Sequence, residues 1–196
     1  MINVRNVVIL FAPGLGGNHL ANMLSTSAEF ESRCSVSDYL QSRSQDAHFS
    51  PAKNLQIATL GDKLSSPGHI VCGHWAEYYW LQLTCGIESN VHDQLLVIKL
   101  PSASSLAWQR FFKYSSLSST YLIEEQRSLY SIEIIGRLFT NKDIFEVESD
   151  RLFDPDINWL IEFAAKDMGI QLDRDQCRHM HQIWHARLTG DQKGCA

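Results

Sequence analysis

The feature that most constrains this chain is a run of apolar residues followed closely by a cluster of glycines. Residues 7–11 are Val-Val-Ile-Leu-Phe, and glycines then stand at Gly14, Gly16 and Gly17. Five consecutive apolar residues predict a strand covered on both faces, as in a parallel sheet. Glycines can adopt positive φ and allow the backbone to approach a ligand closely. The sequence therefore predicts a strand, a tight glycine turn and a helix that starts at Asn18.

Two interpretations of this turn are open at the level of sequence. A helix N-terminus after a glycine loop presents unused N–H groups, which favours binding of a phosphate or sulfate. Asn18 is expected to cap that helix. The alternative is a turn that only makes a tight corner. The two commonest nucleotide motifs do not fit, because Gly17-Asn18-His19 replaces the Gly-Lys-Ser/Thr of a Walker loop and His19 replaces the third glycine of the dinucleotide fingerprint.

Size and composition exclude several classes of protein. The 196 residues are enough for one domain with a proper core, and we predict a single domain over residues 1–196. A hydrophobic content of 44% and a charged content of 20% are typical of soluble globular proteins. The net charge of -5 argues against general nucleic-acid binding. We expect neither a membrane span, which needs about 18 consecutive apolar residues, nor a signal peptide.

The cysteines and histidines predict no metal site. The five cysteines are scattered, odd in number and free of C-x-x-C spacing, which favours reduced thiols in a cytoplasmic protein; they are Cys34, Cys72, Cys85, Cys177 and Cys195. His181 and His185 have the i, i+4 spacing of a helical ligand pair, but no H-E-x-x-H motif contains them. We interpret this pair as part of a solvated helix face.

Short apolar strands alternate with helical segments along the chain. After the first strand, further strands are predicted at residues 69–74, 95–100 and 144–148. Helices are predicted at residues 18–25, 55–64, 102–114, 124–139, 154–169 and 175–188, with another after the second strand. This alternation predicts an α/β fold, a three-layer sandwich with a central parallel sheet and helices on both faces.

Four parts of the chain together resemble a known family. They are Pro13-Gly14-Leu15-Gly16-Gly17-Asn18-His19-Leu20, the segment 69–75, the segment 95–110, and the segments 145–155 and 163–170. In this order they resemble the sulfotransferases that use phosphoadenylyl sulfate. The family loop commonly has the sequence Pro-Arg-Ser-Gly-Ser/Thr-Thr-x-Leu, and residues 13–20 align with it without a gap. The resemblance implies a fold like that of the P-loop NTPases.

The resemblance also implies a donor site and a catalytic base. Lys99 stands where the family has an arginine for the 3′-phosphate, Ser104 or Ser105 would replace a family serine at the position of Ala107, and His74 falls at the position of the general base. The 5′-phosphosulfate would be wrapped by the loop, which comprises Gly14, Leu15, Gly16, Gly17, Asn18 and His19. A protonated His19 would supply charge, since Gly14 stands in place of the family's basic residue. On this hypothesis Gly16→Val blocks the anion and leaves the fold intact.

The implied function is transfer of a sulfuryl group from 3′-phosphoadenylyl sulfate to a hydroxyl of a small molecule or glycan, without a metal. Trp75, Tyr78, Tyr79 and Trp80 would form core and pocket wall. Two alternatives stay open: a binding protein of the same fold that has lost the donor contacts, and a P-loop-like small-molecule kinase. Likewise, His74 is either the base or a strand-end histidine bonded to backbone, and Lys99 is either a phosphate contact or a surface lysine.

Overall fold

The computed structural model describes residues 6–11, 16–31, 68–74, 95–100 and 143–189. The elements in chain order are β1 (Asn6–Phe11), α1 (Gly17–Leu24), β2 (Ile70–His74), β3 (Leu95–Leu100), β4 (Asp143–Glu146), α2 (Ser149–Leu152), α3 (Asn158–Phe163), a π-helical turn (Ala164–Met168) and α4 (Arg174–Thr189). The helices predicted between residues 55 and 139 lie outside the described residues. The three-layer sandwich and the single domain therefore stay predictions.

The four strands form one parallel sheet in the order β2-β1-β3-β4. Strands form at the apolar runs of the sequence, with small differences at their ends. β2 begins at Ile70, one residue later than expected, and β4 covers Asp143–Glu146 where residues 144–148 were expected. Parallel strands that are covered on both faces are rich in Val, Ile and Leu, which is the composition of β1 and β3.

The strand order puts the end of β1 at a point where the chain changes direction across the sheet. β2 lies on one side of β1 and β3 lies on the other, so the connection from β2 to β3 leads from one side of β1 to the other. At the carboxyl edge, Phe11 pairs with His74 of β2 and with Leu100 of β3. Ligands of open parallel sheets bind outside the carboxyl ends of strands at such a switch point. The carboxyl end of β1 therefore lies at the favoured position for a binding site.

Helix α1 is buried along its whole length. It contacts β1, β2 and α4, and its apolar side chains join a core that also contains Ile9 and Trp184. Three polar side chains of α1 are buried as well: Asn18, His19 and Asn22. Burying a polar side chain is costly unless it is hydrogen-bonded. The hydrogen-bond partners of these side chains therefore bear on the role of the helix.

The helix predicted to start at Asp154-Pro155 begins later, at Asn158. Two consecutive side-chain turns delay it: the N–H of Asp156 donates to Asp154 Oδ1 at 2.9 Å, and the N–H of Asn158 donates to Asp156 Oδ1 at 2.9 Å. Such side-chain bonds compete with helix formation. The predicted end near Gly169 is confirmed, because Gly169 has a φ of 71° and the N–H of Ile170 donates to the carbonyl of Ala164 at 2.8 Å.

Helix α4 extends one residue beyond the predicted 175–188 at each end. Asp173 precedes it and caps it: its carboxylate accepts from the N–H of Gln176 at 3.1 Å and from Gln176 Nε2 at 2.7 Å. Arg178 donates twice to Asn158 Oδ1, at 3.0 and 2.8 Å. These bonds join α4 to the start of α3.

Candidate functional site

Gly16 makes the turn that leads from the end of β1 into α1. Its φ is 82° and its ψ is 12°, in the left-handed region, and it is the N-cap residue of the helix. The first helical hydrogen bond runs from the N–H of Leu20 to the carbonyl of Gly16 at 2.9 Å. The prediction that Asn18 caps the helix is therefore wrong. The left-handed turn at Gly16 brings the chain into helix at Gly17, and Asn18 is already the second helical residue.

The two described glycines of this turn meet different requirements. A Cβ at Gly17 would overlap the ring of Phe11, so α1 packs directly on the end of β1. A Cβ at Gly16 would stand 3.5 Å from Leu152 Cδ1 and 3.7 Å from the ring of Trp184, so it would face the protein's own core. The expectation that Gly16→Val only fills the anion's place is therefore wrong. Valine there would press on Trp184 at a φ that β-branched residues avoid.

The first turn of α1 has the polarity that an anion requires. The amides of Gly17 and His19 precede Leu20, and an α-helix has no carbonyls of its own for the N–H groups of its first turn. The helix dipole places about half a positive charge at this end. No acidic residue stands in the first turn of α1 to neutralise it. The local electrostatics thus favour a negatively charged group.

The sheet register brings two predicted site residues to either side of β1. His74 is the last residue of β2 and pairs with Phe11, whereas Lys99 of β3 pairs with Leu10 and with Glu146 of β4. The backbones of His74 and Lys99 therefore flank the strand that leads into the glycine turn. The other predicted site and wall residues lie outside the described residues: Gly14, Leu15, Trp75, Tyr78, Tyr79, Trp80, Ser104 and Ser105.

His19 is directed into the protein and makes a chain of hydrogen bonds with α4. Its side chain is fully buried, and its Nε2 lies 3.0 Å from His181 Nδ1. The other ring nitrogen of His181, Nε2, lies 2.6 Å from the backbone carbonyl of Asp154. The ring of His19 also stacks on Trp184, with centroids 4.0 Å apart and planes 4° from parallel. His19 is therefore held between two side chains of α4.

The carbonyl of Asp154 determines where the protons of this chain lie. A carbonyl oxygen only accepts, so His181 Nε2 carries a proton and donates it to Asp154. Neutral His181 then offers a lone pair at Nδ1, and His19 Nε2 donates to it. This leaves His19 Nδ1 as a bare acceptor, and within the described part of the chain it has no hydrogen-bond partner.

Both histidines are neutral at neutral pH. Burial lowers the pKa of His19 well below the ordinary value of 6.5, and the neighbouring His181 lowers it further. Burial also lowers the pKa of His181, although its bond to the Asp154 carbonyl acts in the opposite direction. The expectation that a protonated His19 supplies charge to the loop is therefore wrong. Only its backbone N–H is available to an anion.

The interpretation of His181 as part of a solvated face is also wrong, because its exposed fraction is 1%. The sequence does contain a signal for its burial. Cys177, Met180 and Trp184 are buried at helical spacing on α4, and His181 lies within that stripe. His185, one turn later, is only partly buried. Trp184, which sequence reasoning did not single out, has the largest fully buried side chain among the described residues.

Cys177 belongs to the same buried face of α4 and is a free thiol. Its Sγ lies 3.1 Å from Thr26 Oγ1 and 3.4 Å from the carbonyl of Met23, which ties α4 to the end of α1. Burial raises the pKa of this thiol to about 11. A thiol needs its deprotonated form to react, so Cys177 has a packing role.

No protein-family model matches this chain, no curated protein matches it, and no solved structure matches it. Among the residues that the structure describes, no group of three or more His, Cys, Asp or Glu side chains could hold a metal ion. No helix within the described ranges is long and apolar enough to cross a membrane. What the site binds is therefore inferred from its own geometry and chemistry.

Proposed function

We propose that the glycine turn and the first turn of α1 bind a phosphate or sulfate group at the carboxyl edge of the sheet. The observation that carries this proposal is the left-handed turn at Gly16. It places the N-terminus of a buried helix at the switch point of a parallel sheet. The absence of an acidic residue from the first turn of α1 supports it further. Backbone N–H groups, starting with that of Gly17, would be the donors.

We further propose that the protein is a sulfotransferase of the P-loop-like fold. It would transfer a sulfuryl group from 3′-phosphoadenylyl sulfate to a hydroxyl of a small molecule or glycan. The resemblance of the chain to that family suggests the reaction. The sheet register supports it, because His74 and Lys99 end up on the two strands that flank β1. Ser105 would complete the contacts to the 3′-phosphate, and the proposed reaction uses no metal.

In the proposed reaction, His74 accepts the proton of the acceptor hydroxyl while the hydroxyl oxygen attacks sulfur. The new oxygen–sulfur bond forms as the bond from sulfur to the phosphate oxygen breaks, and the departing bisphosphate keeps the electron pair. The protein contributes mainly positioning and charge stabilisation. The N–H groups of Gly17 and His19 and the ammonium of Lys99 would stabilise the charge that develops on the phosphate. The imidazole of His19 takes no part, because it is neutral and bonded to His181.

We also propose a cellular location and a class of acceptor. Scattered cysteines favour reduced thiols and a cytoplasmic location, and Cys177 is a free thiol. With a net charge of -5, the protein would act on a small-molecule or glycan acceptor and not on nucleic acid.

A second candidate function is anion or nucleotide binding without catalysis. It is favoured by the described residues of the turn, 16–19, none of which carries a charged side chain once His19 is neutral. Charge-assisted hydrogen bonds are roughly twice as strong as neutral ones, so a turn that binds through its backbone alone would hold the donor less tightly. Donor binding without transfer is the expected behaviour of such a protein.

Calorimetric titration of the full chain with adenosine 3′,5′-bisphosphate, the product nucleotide, tests the donor site. A clear binding heat is expected, and Lys99→Ala should weaken it. No heat at millimolar nucleotide would contradict the proposed site.

Transfer of labelled sulfuryl groups to phenolic and sugar acceptors tests the reaction. His74→Ala should lower the rate by about 10²–10⁴-fold, the usual contribution of a general base, and should leave bisphosphate binding unchanged. His179→Ala, an exposed histidine of α4, is the control that should change neither. Full activity in His74→Ala would assign His74 to structure, and binding without any transfer would support the second candidate.

A further inference from the structure

A cluster of three side chains connects the C-terminal helix to the glycine turn. We call His19, His181 and Trp184 the aromatic cluster. Trp184 stacks on His19 with centroids 4.0 Å apart, and its ring also lies 3.7 Å from the point where a Cβ of Gly16 would stand. One ring of α4 therefore covers both the turn glycine and the first turn of α1. All three side chains are at most 2% exposed.

We propose that His181 and Trp184 are positioning residues for the glycine turn, and that the hydrogen bond between neutral His19 and His181 makes this positioning sensitive to acid. The functional part, loss of anion binding in acid, rests on the proposed function of the turn. The conformational part concerns the turn itself and holds with or without a ligand.

The acid sensitivity follows from the number of protons that the pair can hold. The neutral pair has two N–H groups, one donated from His19 to His181 and one donated from His181 to the carbonyl of Asp154. A third proton that preserves the bond between the rings must appear at His19 Nδ1, whichever ring carries the charge. That atom is buried and has no hydrogen-bond partner among the described residues. A fourth proton would place N–H groups face to face and break the bond.

The charged neighbours do not rescue the protonated form of His19. Asp154 and Asp156 favour a charge on His181, and His185 opposes it, but burial is the larger effect. Among the described residues, His181 is the titratable neighbour that acts on His19, and it disfavours the charge. From β1, the side chains Val7, Ile9 and Phe11 do not titrate.

The other described buried histidine, His69, lies at the opposite, amino edge of the sheet, with Glu31 at 3.6 Å. The carboxylate of Glu31 therefore lies with His69 and not with the aromatic cluster. In acid, protonation therefore adds an uncompensated buried charge to the pair of His19 and His181. The expected response is separation of α4 from α1. Trp184 would then leave Gly16, and the N–H groups of the turn would lose their fixed directions.

This device predicts a pH dependence opposite to that of an ordinary histidine in an anion site. A histidine that contacts an anion binds it more tightly when it is protonated, so affinity rises in acid. Here the affinity for the anion should fall in acid, because protonation of the buried pair of His19 and His181 disturbs the packing of α4 against the turn. The sign of the effect therefore separates the two roles.

The test uses amide NMR of the full chain with inorganic sulfate as the probe, since sulfate keeps the same charge throughout the range. As the pH is lowered from 8 to 4, the amide signals of Gly16 and Gly17 should move with a midpoint below 6.5, the ordinary value for histidine. Sulfate affinity should fall over the same range, by up to about tenfold per pH unit for each proton that the protein takes up.

Three variants sharpen the test. His181→Asn retains a neutral acceptor toward His19 and cannot titrate at position 181, so it should bind sulfate at pH 7.5 and lose much less affinity than the parent as the pH is lowered to 4. His179→Asn, on the exposed side of the same helix, should keep the parent profile. Trp184→Phe retains an aromatic ring but lacks the outer ring atoms that lie nearest Gly16, so it should weaken sulfate binding at every pH.

The outcomes separate this proposal from the proposed function. Movement of the Gly16 and Gly17 amides without sulfate or bisphosphate binding at any pH would refute the proposed function and support the positioning role. Amides that do not respond between pH 8 and 4, tighter sulfate binding in acid, or a parent-like profile in His181→Asn would each overturn the proposal. The titration of the parent protein requires no variant to fold.

Discussion

Gly16 and Gly17 are adjacent in sequence, but their substitutions should fail for different reasons. Gly17 is the first residue of α1 and its φ is not positive, so alanine fits its backbone. Alanine is favoured over glycine in a helix by about 1 kcal/mol. Against this gain, a Cβ at Gly17 would overlap ring atoms Cγ, Cδ1 and Cε1 of buried Phe11. Those atoms are part of a rigid ring and cannot move aside as a flexible chain end would.

The size of the effect follows from that overlap. Overpacking of a core costs about 1–3 kcal/mol, and occasionally more. After subtracting the helical gain, Gly17→Ala should lower the free energy of unfolding by up to about 2 kcal/mol. Phe11→Ala alone should cost about 3–5 kcal/mol, because it leaves a cavity beside the turn. In the double variant the new methyl group enters that cavity, so the combined loss should be smaller than the sum by about 1–3 kcal/mol.

Gly16→Ala is the matched control for this cycle. Its cost, about 1–2 kcal/mol, arises from the left-handed backbone, and its Cβ would face Leu152 at 3.5 Å and not Phe11. It should therefore combine additively with Phe11→Ala, to within about 0.5 kcal/mol. Urea unfolding followed by circular dichroism measures all five variants. A stabilising Gly17→Ala, or additivity between Gly17→Ala and Phe11→Ala, would refute the close approach of α1 to β1.

Three further predictions concern α4 and its contacts. Because the pKa values of His19 and His181 are lowered in the folded protein, the unfolded chain takes up protons first as the pH falls below 6.5. The free energy of unfolding should therefore decrease by up to about 1.4 kcal/mol per pH unit for each histidine. Urea unfolding between pH 8 and 5 measures this decrease, and a constant stability would contradict it. Cys177, with its pKa raised to about 11, should resist iodoacetamide in the folded protein at pH 8 and react in urea, as mass spectrometry of the peptide would show. Asp173→Ala should cost about 1 kcal/mol through loss of the α4 cap, whereas Asp173→Asn should cost little; equal losses in thermal unfolding would argue against capping.

Within the described residues, local patterns in the sequence predict the four strands and the approximate bounds of α1 and α4. β1 and β3 are unbroken apolar runs, and such runs identify buried strands without any knowledge of their partners. Gly169 ends a helix for a local reason, since it adopts the left-handed conformation that closes the last turn. The start of α3 is harder to predict, because Asp154 and Asp156 form side-chain turns that delay it.

The surroundings of His19 could not be predicted, because they depend on contacts between distant parts of the chain. His19 and His181 are 162 positions apart, and neither has a local pattern that identifies the other. Two polar residues one turn apart on a helix are usually solvated, so the sequence alone favours the surface for His181 and His185. The burial of Trp184 on the same stripe is what brings His181 into the core.

The glycine turn is held by packing from two sides, and this bears on how an anion would bind there. The ring of Phe11 lies against Gly17, and the ring of Trp184 lies beside Gly16. N–H groups fixed in this way need little ordering when a ligand arrives, and such preorganisation improves affinity without any added contact. In a turn without charged side chains, preorganisation takes the place of direct charge. Substitutions of Phe11 and Trp184 should therefore affect anion affinity more strongly than changes to exposed charges such as Arg178 on α4.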